Sequence, residues 1–338
     1  MAVDENFLRA WRLILKSPEM YRRGFESGMS LPPLPQLSIF SRVYVLGMGG
    51  SGIVGDIVSG LKQRDSKVVV EPVKSMSVPP NVGPNSFVVV VSYSGNTTET
   101  NWAYIDAFSR NAFVVGVSSG GRLTESMKMK GLEVVEVSKG LQPRYAVPEM
   151  VGVVYGILTP FDGFNPREFL KTIDELEAYA KDFEDMTRNA AVELAEKLVD
   201  KPVIIIGPEH LSSVLHRFKC QLNENSKHPA YYAVVPEAFH NELEGWTMIE
   251  KFSYVFLRSG YEHPMISEAL DWAEEHLRKS HADVFRLFVK SSSRQAELVK
   301  LIFFTDVVTV ALARAKHVDP FALKTIPQLR PLLRKYLP

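Results

Sequence analysis

RVYVLGMGGSG, residues 42–52, joins an apolar, β-branched run directly to a glycine-rich turn. The run predicts a buried strand, and the turn predicts the start of a helix whose first N–H groups can face an anion. Apolar runs at 68–70, 87–91, 113–117 and 132–137 are also followed by polar loops and intervening helical stretches. This alternation predicts an α/β fold, with a doubly wound parallel sheet covered by helices on both faces.

The second half of the chain repeats the pattern of the first. PVIIIG, ending at Gly207, matches RVYVLG, ending at Gly47, and KFSYVFLRSG, ending at Gly260, matches NSFVVVVSYSG, ending at Gly95. The offsets are similar, 207 − 47 = 160 and 260 − 95 = 165, and indicate a tandem duplication. We expect an N-terminal domain over 1–160, with a leading helix over 6–27 that the proline-rich segment 31–37 ends. A connecting helix region over 161–200, with one long charged helix over roughly 166–199, would lead to a C-terminal domain over 201–338.

Composition excludes several classes of protein. The 338 residues contain 39 lysines and arginines and 39 aspartates and glutamates, so no net charge favours nucleic acid or an anionic membrane. Cys220 is the only cysteine, which excludes an intrachain disulfide and a cysteine-cluster metal site. No run approaches the roughly 18 apolar residues of a membrane helix, and the acidic start is unlike a signal peptide. We therefore expect a cytoplasmic protein that binds its anionic ligand through local donors.

A second polar loop, SYSGNTTET at 92–100, follows the predicted strand 87–91. Taken alone, GMGGSG also satisfies the dinucleotide fingerprint, with Glu71 lying 71 − 52 = 19 residues beyond its last glycine at a predicted strand end. A dinucleotide fold does not need a second cluster of hydroxyls, whereas a phosphate monoester does, because its oxygens accept many hydrogen bonds. The pair of loops therefore favours a phosphate ligand, and a nucleotide-dependent oxidoreductase remains the weaker alternative.

GMGGSG followed by SYSGNTTET resembles the paired loops of sugar isomerase (SIS) domains. GLQPRYAVP at 140–148, LNENSKHP at 222–229 and VVPEAFHNELEG at 234–245 extend the resemblance to the archaeal bifunctional phosphoglucose/phosphomannose isomerases. This resemblance implies two SIS-type αβα sandwiches that interconvert glucose 6-phosphate, and also mannose 6-phosphate, with fructose 6-phosphate through an enediolate. It also implies no cofactor, no metal and a homodimer with shared active sites.

The resemblance assigns roles to residues of this chain. Glu224, in the NEN motif, would be the base that moves the proton, Arg144 would stabilise the enediolate, and His240, from the neighbouring subunit, would open the sugar ring. These residue types suit the reaction, because it needs a proton carrier and a cation for the developing oxyanion. The residues that would hold the phosphate are Gly49, Gly50, Ser51, Ser92, Ser94 and Thr97.

The C-terminal tail departs from the family pattern. Aligned without gaps from Asp319, it places Arg330 where the family has a ring-opening lysine and Leu323 where the family has a threonine. An arginine cannot release a proton as a lysine can, so Arg330 would act only through its charge. A shifted register would bring in Lys324, Thr325 or Lys335 instead. A non-catalytic sugar-phosphate sensor is the alternative that keeps the fold, but it has no use for Glu224 and His240 together.

Overall fold

A computed structural model describes residues 2–32, 40, 42–246 and 249–338. Two helices come first, α1 (Ala2–Leu15) and α2 (Ser17–Met29). The single helix expected over 6–27 is therefore wrong: Pro18 lies in the first turn of α2, whereas inside a continuous helix it would remove a hydrogen bond and clash with the preceding turn. Most of the proline-rich segment 31–37 lies outside the described residues.

The first sheet is parallel, with the strand order β2-β1-β3-β4-β5. Strand β3 is buried along its whole length, as its uninterrupted FVVVV sequence predicts for a sheet covered on both faces. The elements of this part are β1 (Arg42–Leu46), α3 (Gly49–Leu61), β2 (Val69–Val73), β3 (Phe87–Val91), α4 (Thr98–Ser109), β4 (Phe113–Ser118), α5 (Gly121–Met129), β5 (Val134–Glu136) and α6 (Val147–Leu158).

The region expected to be one connecting helix contains two, α7 (Pro166–Ala180) and α8 (Ala190–Lys197). A 3₁₀ turn at Lys181–Phe183 ends the first of them. Asn189 then starts the second, because its side chain accepts hydrogen bonds from the N–H groups of Ala191 and Val192 at 3.0 and 3.1 Å. The expectation of unbroken helix over this region is therefore wrong.

The second sheet is also parallel, with the order β7-β6-β8-β9. After β9 the chain enters a long helix directly, without the additional helix and strand that follow β4 in the first sheet. The elements are β6 (Val203–Pro208), α9 (Ser212–Asn225), β7 (Ala230–Val235), α10 (Glu242–Gly245), β8 (Ser253–Leu257), α11 (Pro264–Lys279), β9 (Asp283–Leu287), α12 (Arg294–Ala315) and α13 (Ile326–Arg334).

The chain divides into two compact units, one over Lys16–Asp174 and Leu323–Pro338, the other over Met1–Leu15 and Glu175–Ala322. We call them the first-sheet unit and the second-sheet unit. The division differs from the expected domains at both ends of the chain. Helix α1 packs on α12, and the Trp11 indole donates to the Phe183 carbonyl at 2.9 Å. The tail returns to α4, where Thr98 and Trp102 donate to the carbonyls of Leu333 and Tyr336.

Glycines allow α2 to pack closely on α6 inside the first-sheet unit. A Cβ atom on Gly24 would lie 2.1 Å from the Glu149 carbonyl oxygen, and one on Gly152 would lie 2.2 Å from that of Tyr21. Larger side chains at these positions would force the helices apart. This contact fixes the first turn of α6, which lies next to the candidate site.

Candidate active site

The order of the first sheet creates a point where the chain changes direction. From β1 the chain moves to β2 on one side, and β3 then pairs with β1 on the other side. Open α/β sheets bind ligands at such a point, outside the carboxyl ends of the strands. Here the loops after β1 and β3 lead into the N-termini of α3 and α4. The first N–H groups of a helix have no partner inside it, so both helix ends can accept an anion.

A hydrogen bond joins these two loops. The Tyr93 backbone N–H donates to Ser51 Oγ at 3.0 Å, and Ser51 is buried. The GMGGSG and SYSGNTTET loops are therefore in direct contact, as the sequence predicts. Ser51 Oγ accepts this bond and itself donates a weak hydrogen bond to Met150 Sδ at 3.9 Å.

The loop after β3 also packs against the loop after β4. Gly95 has φ of +65°, and a Cβ atom at this position would lie 1.8 Å from the Gly120 carbonyl oxygen. Ser119 Oγ donates to the Tyr93 carbonyl at 2.6 Å. Glycine at 95 is thus required both for its left-handed backbone and for this close approach.

The hydroxyl groups of the SYSGNTTET loop differ in exposure. Ser92 is fully buried, and within the described residues its Oγ has no hydrogen-bond partner. Ser94 is exposed, and its Oγ accepts from the Asn96 N–H at 3.2 Å. Thr97 precedes α4 at the N-cap position without using its side chain as a cap. The Thr97 hydroxyl therefore does not cap the helix, although capping is the usual structural reason for a threonine at the N-cap position.

Arg144 lies directly beside the first loop. It occupies a 3₁₀ turn, Pro143–Tyr145, and a Cβ atom on Gly50 would lie 2.9 Å from its backbone nitrogen. The arginine is only 3% exposed, and its guanidinium lies 5.1 Å from the centre of the Tyr145 ring. Gly50 therefore has a packing function, in addition to any contact with a ligand, because it admits the segment that carries Arg144.

Two residues that the sequence analysis did not single out hold this segment in place. The Tyr93 hydroxyl donates to the Ser138 carbonyl at 2.7 Å and accepts from the Leu141 N–H at 2.8 Å, and burial raises the pKa of this phenol. Glu149, which is buried, accepts from the N–H and the hydroxyl of Ser138 and pairs with Arg23. Tyr93 lies in the SYSGNTTET motif, and this position in the motif is the sequence signal that indicates a function for it.

The tail brings Arg330 into the same unit. Thr98, the first residue of α4, donates through its hydroxyl to the Leu333 carbonyl at 3.2 Å, so α13 lies next to the SYSGNTTET loop. Arg330 is exposed on α13, one turn before Leu333, and Lys335 is exposed just beyond the helix. Leu323 precedes α13 and is half-buried.

Glu224 and His240 belong to the second-sheet unit. Glu224 is half-buried at the C-terminal end of α9, beside Asn225, whose amide donates to Thr309 Oγ1 at 2.9 Å. Nearer the start of α9, the buried Arg217 pairs with Asp306 of α12 at 2.6 Å. These contacts fix α9 on α12 and so fix the position of Glu224.

His240 is exposed in a 3₁₀ turn that follows β7, whereas Glu224 comes before that strand. The six residues of β7 therefore separate them. At about 3.3 Å per residue, the strand spans about 16 Å. The structure thus gathers the phosphate-loop residues and Arg144 in one unit, but within one chain it does not bring Glu224 to His240.

Comparison with known proteins identifies the family of this chain. A family model described as the bacterial phospho-glucose isomerase C-terminal SIS domain matches residues 187–333. A bifunctional phosphoglucose/phosphomannose isomerase of Aquifex aeolicus (strain VF5) is 30% identical over 304 residues, covering 89% of this chain and 92% of that protein. The chain belongs to the bifunctional phosphoglucose/phosphomannose isomerase family.

Members of this family also occur in archaea. The bifunctional phosphoglucose/phosphomannose isomerase of Thermoplasma acidophilum is 31% identical over 304 residues, covering 86% of this chain and 89% of that protein. A crystal structure of a hypothetical protein from Thermus thermophilus has a TM-score of 0.74 at 15% identity, covering 99% of this chain and 94% of that one. The predicted family and the two-sheet SIS architecture are confirmed.

In this member of the family, Glu71 does not take the place of a ribose-binding acid. Strand β2 continues to Val73, so the expected strand end at Glu71 is wrong. Glu71 lies opposite Tyr44 in the middle of the strand and pairs with Arg42 at 3.3 Å. A dinucleotide fold needs its acid at the carboxyl end of the second strand, so the observed position disfavours the oxidoreductase.

Among the described residues, no group of three or more histidine, cysteine, aspartate or glutamate side chains is arranged to hold a metal ion. None of the helices in the described ranges is long and apolar enough to cross a membrane.

Proposed function

We propose that this protein interconverts glucose 6-phosphate, and mannose 6-phosphate, with fructose 6-phosphate by proton transfer through an enediolate. The observation that carries the proposal is the 30% identity, over 89% of the chain, to a protein that bears this bifunctional name. The proposed reaction needs no cofactor or metal, because a carboxylate can move the proton between the two carbons and a cation can stabilise the oxyanion.

The loops of the first-sheet unit are suited to the phosphate. The N-termini of α3 and α4 follow adjacent strands, and the bond from Tyr93 to Ser51 holds their loops together. Backbone N–H groups of the glycines and the hydroxyls of Ser94 and Thr97 would supply donors to a dianion. Ser51 and Ser92, both buried, would line the protein side of this phosphate-binding site.

Three charged or titratable residues would perform the chemistry. Glu224 would take the proton from one carbon and return it to the next, as a general base and then a general acid. Arg144 keeps its charge throughout and would stabilise the enediolate oxygen. His240 would open the sugar ring, and Arg330 would contribute a positive charge from the tail.

The proposal includes a homodimer with shared active sites. Because β7 lies between Glu224 and His240, one chain does not present both residues to a single hexose chain a few ångströms long. His240 from a second copy of the chain would complete an active site that contains Glu224 of the first copy. Most soluble oligomers are symmetric homo-oligomers, and a two-fold dimer would create two such composite sites. A cytoplasmic location, supported by the single cysteine, is part of the same proposal.

A coupled isomerase assay on both hexose phosphates tests this function. The variant Glu224→Gln should lose on the order of 10²-fold or more in turnover, because the amide cannot carry the proton. Glu196→Gln, which changes an exposed glutamate of α8 in the same unit, should keep wild-type turnover. A wild-type protein with no activity on either hexose phosphate would contradict the proposal and favour the alternative of a non-catalytic sugar-phosphate sensor. Equal turnover in wild type and Glu224→Gln would remove Glu224 from the mechanism.

A further inference from the structure

The second sheet has its own point of chain reversal, between β6 and β8. It corresponds in detail to the first, because the Arg258 N–H donates to the Leu287 carbonyl at 2.8 Å as the Ser92 N–H donates to the Val117 carbonyl at 3.0 Å. Arg258-Ser259-Gly260 therefore occupies the place of Ser92-Tyr93-Ser94 at the carboxyl edge of its sheet, so Gly260 corresponds to Ser94 and not, as the sequence match predicts, to Gly95. The physical argument that predicts a phosphate at the first position applies to this one as well.

A carboxylate of the protein itself occupies this second position. Glu297 Oε1 accepts from the Gly260 N–H at 2.8 Å, and Oε2 accepts from the Ser259 hydroxyl at 2.5 Å. The Ser259 oxygen in turn lies 2.8 Å from His210 Nε2 and accepts from the Tyr261 N–H at 3.0 Å. Glu297 is 1% exposed, and burial raises the pKa of its carboxyl group, whereas the hydrogen bonds from Ser259 and Gly260 stabilise its charged form.

The topology explains how Glu297 reaches this loop. In the first-sheet unit, α5, β5 and the segment that carries Arg144 lie between β4 and α6, and the first-turn glutamate of α6, Glu149, binds Ser138 of that segment. In the second-sheet unit, β9 leads directly into α12. The first turn of α12 therefore takes the place of the missing segment, and its glutamate enters the loop after β8.

The loop after β6 has also lost the features that admit an anion. Gly47-Met48-Gly49-Gly50 of the first sheet corresponds to Gly207-Pro208-Glu209-His210 of the second. Proline has no N–H to donate, and the side chains of Glu209 and His210 occupy positions where glycines would allow close approach to an anion. This difference in sequence is independent of the contact made by Glu297.

We infer that Glu297 is a specificity-determining residue: its carboxylate takes the anion position of the second sheet, so each chain accepts one phosphate group, at the first sheet. The inference extends the proposed function, because it states which of the two duplicated loops receives the sugar phosphate. The second sheet then serves to carry Glu224 and His240 and has no phosphate of its own.

Titration with inorganic phosphate, followed through backbone amide NMR signals of the full chain, tests the inference. In the wild type, phosphate should shift the signals of Gly49 and Gly50 and leave that of Gly260 unchanged. In Glu297→Ala, the Gly260 signal should shift in a saturable manner, with a dissociation constant in the millimolar range. The matched control is Glu175→Ala, which removes another carboxylate of this unit, one that binds Ser292 and Lys300, and leaves Glu297 in place. Its Gly260 signal should stay unchanged.

Each outcome decides a separate question. A saturable shift of Gly260 in the wild type would overturn the inference, and this measurement needs no variant. An unchanged Gly260 in Glu297→Ala would overturn it too, because the loop would then have no capacity for an anion. If Glu297→Ala does not fold, Glu297→Ser provides the same measurement with a side chain that can still hydrogen-bond. Failure of Gly49 and Gly50 to respond would count against the proposed function and against a phosphate at the first sheet, whereas the Gly260 signals of wild type and Glu297→Ala test separately whether Glu297 occupies the second position.

Discussion

The full length of strand β7 separates Glu224 from His240, although the two residues are only 240 − 224 = 16 positions apart in the sequence. Helix α9 ends at the edge of the sheet where β7 begins, and His240 follows the opposite end of the strand. A sequence motif can thus place two residues near each other along the chain without placing them in the same site.

This separation predicts complementation between two inactive variants. Glu224→Gln and His240→Ala should each be inactive alone, and mixing them with subunit exchange should restore about a quarter of wild-type turnover, since half of the dimers would carry one intact site of two. The coupled assay measures the gain. A mixture no more active than the sum of its parts would show that the two residues act within one chain or that they are not both needed.

The Tyr93 hydroxyl should matter for turnover because it holds the segment that carries Arg144. Removing it in Tyr93→Phe leaves the Ser138 carbonyl and the Leu141 N–H without this partner, at a cost of about 1–3 kcal/mol. We expect kcat to fall more than KM rises, since Arg144 would act on the enediolate and not on the phosphate. Tyr104→Phe is the control, because within the described residues that buried hydroxyl has no hydrogen bond. An unchanged kcat in Tyr93→Phe would reject this positioning role.

The buried pair Arg217–Asp306 should be important for stability. Asp306→Ala would leave the guanidinium of Arg217 buried without its carboxylate, and breaking a buried pair in this way costs about 3–5 kcal/mol. Urea unfolding measures the loss. Glu275→Ala, which breaks the exposed pair with Lys279, should leave the free energy of unfolding almost unchanged, because solvent screens that pair. Similar losses in the two variants would contradict the argument from burial.

His228 should make the protein less stable in mild acid. Burial lowers the pKa of His228 below its ordinary value of 6.5, and Lys316, 3.0 Å from Nδ1, lowers it further. As pH falls through 6.5, the unfolded chain takes up this proton before the folded protein does, so the free energy of unfolding decreases. Thermal unfolding between pH 7 and pH 5 should therefore show a smaller decline for His228→Gln than for the wild type. His276→Gln, at an exposed position of α11, should follow the wild type, and the same decline in all three proteins would exclude His228 as the cause.

The strands and the phosphate loops could be predicted from the sequence because their signals are local. An apolar run followed by glycines and hydroxyls specifies a strand, a turn and a helix start within about ten residues. The contact between Ser51 and Tyr93 then follows from the pairing of β1 with β3, which a doubly wound order supplies. The family resemblance rests on these same segments.

Other features depend on distant contacts and could not be predicted. The apolar face of α1 is visible in the sequence, but nothing local shows that it packs on α12. Glu297 carries no motif, and its position depends on the absence of a segment after β9. The break at Pro18 is predictable from the sequence, because a proline inside a helical pattern marks a helix boundary. The apolar spacing over 6–27 favours a single helix instead.

The exchange of chain ends between the two units has a consequence for folding during synthesis. Helix α1 is translated long before its partner α12, so its buried face, Phe7, Trp11 and Ile14, stays uncovered while the residues between the two helices are translated. The first-sheet unit likewise lacks α13 until the second-sheet unit has been translated. Neither half can finish folding before the ribosome has nearly completed the other, so this duplicated protein acquires its native state as a whole and not one repeat at a time.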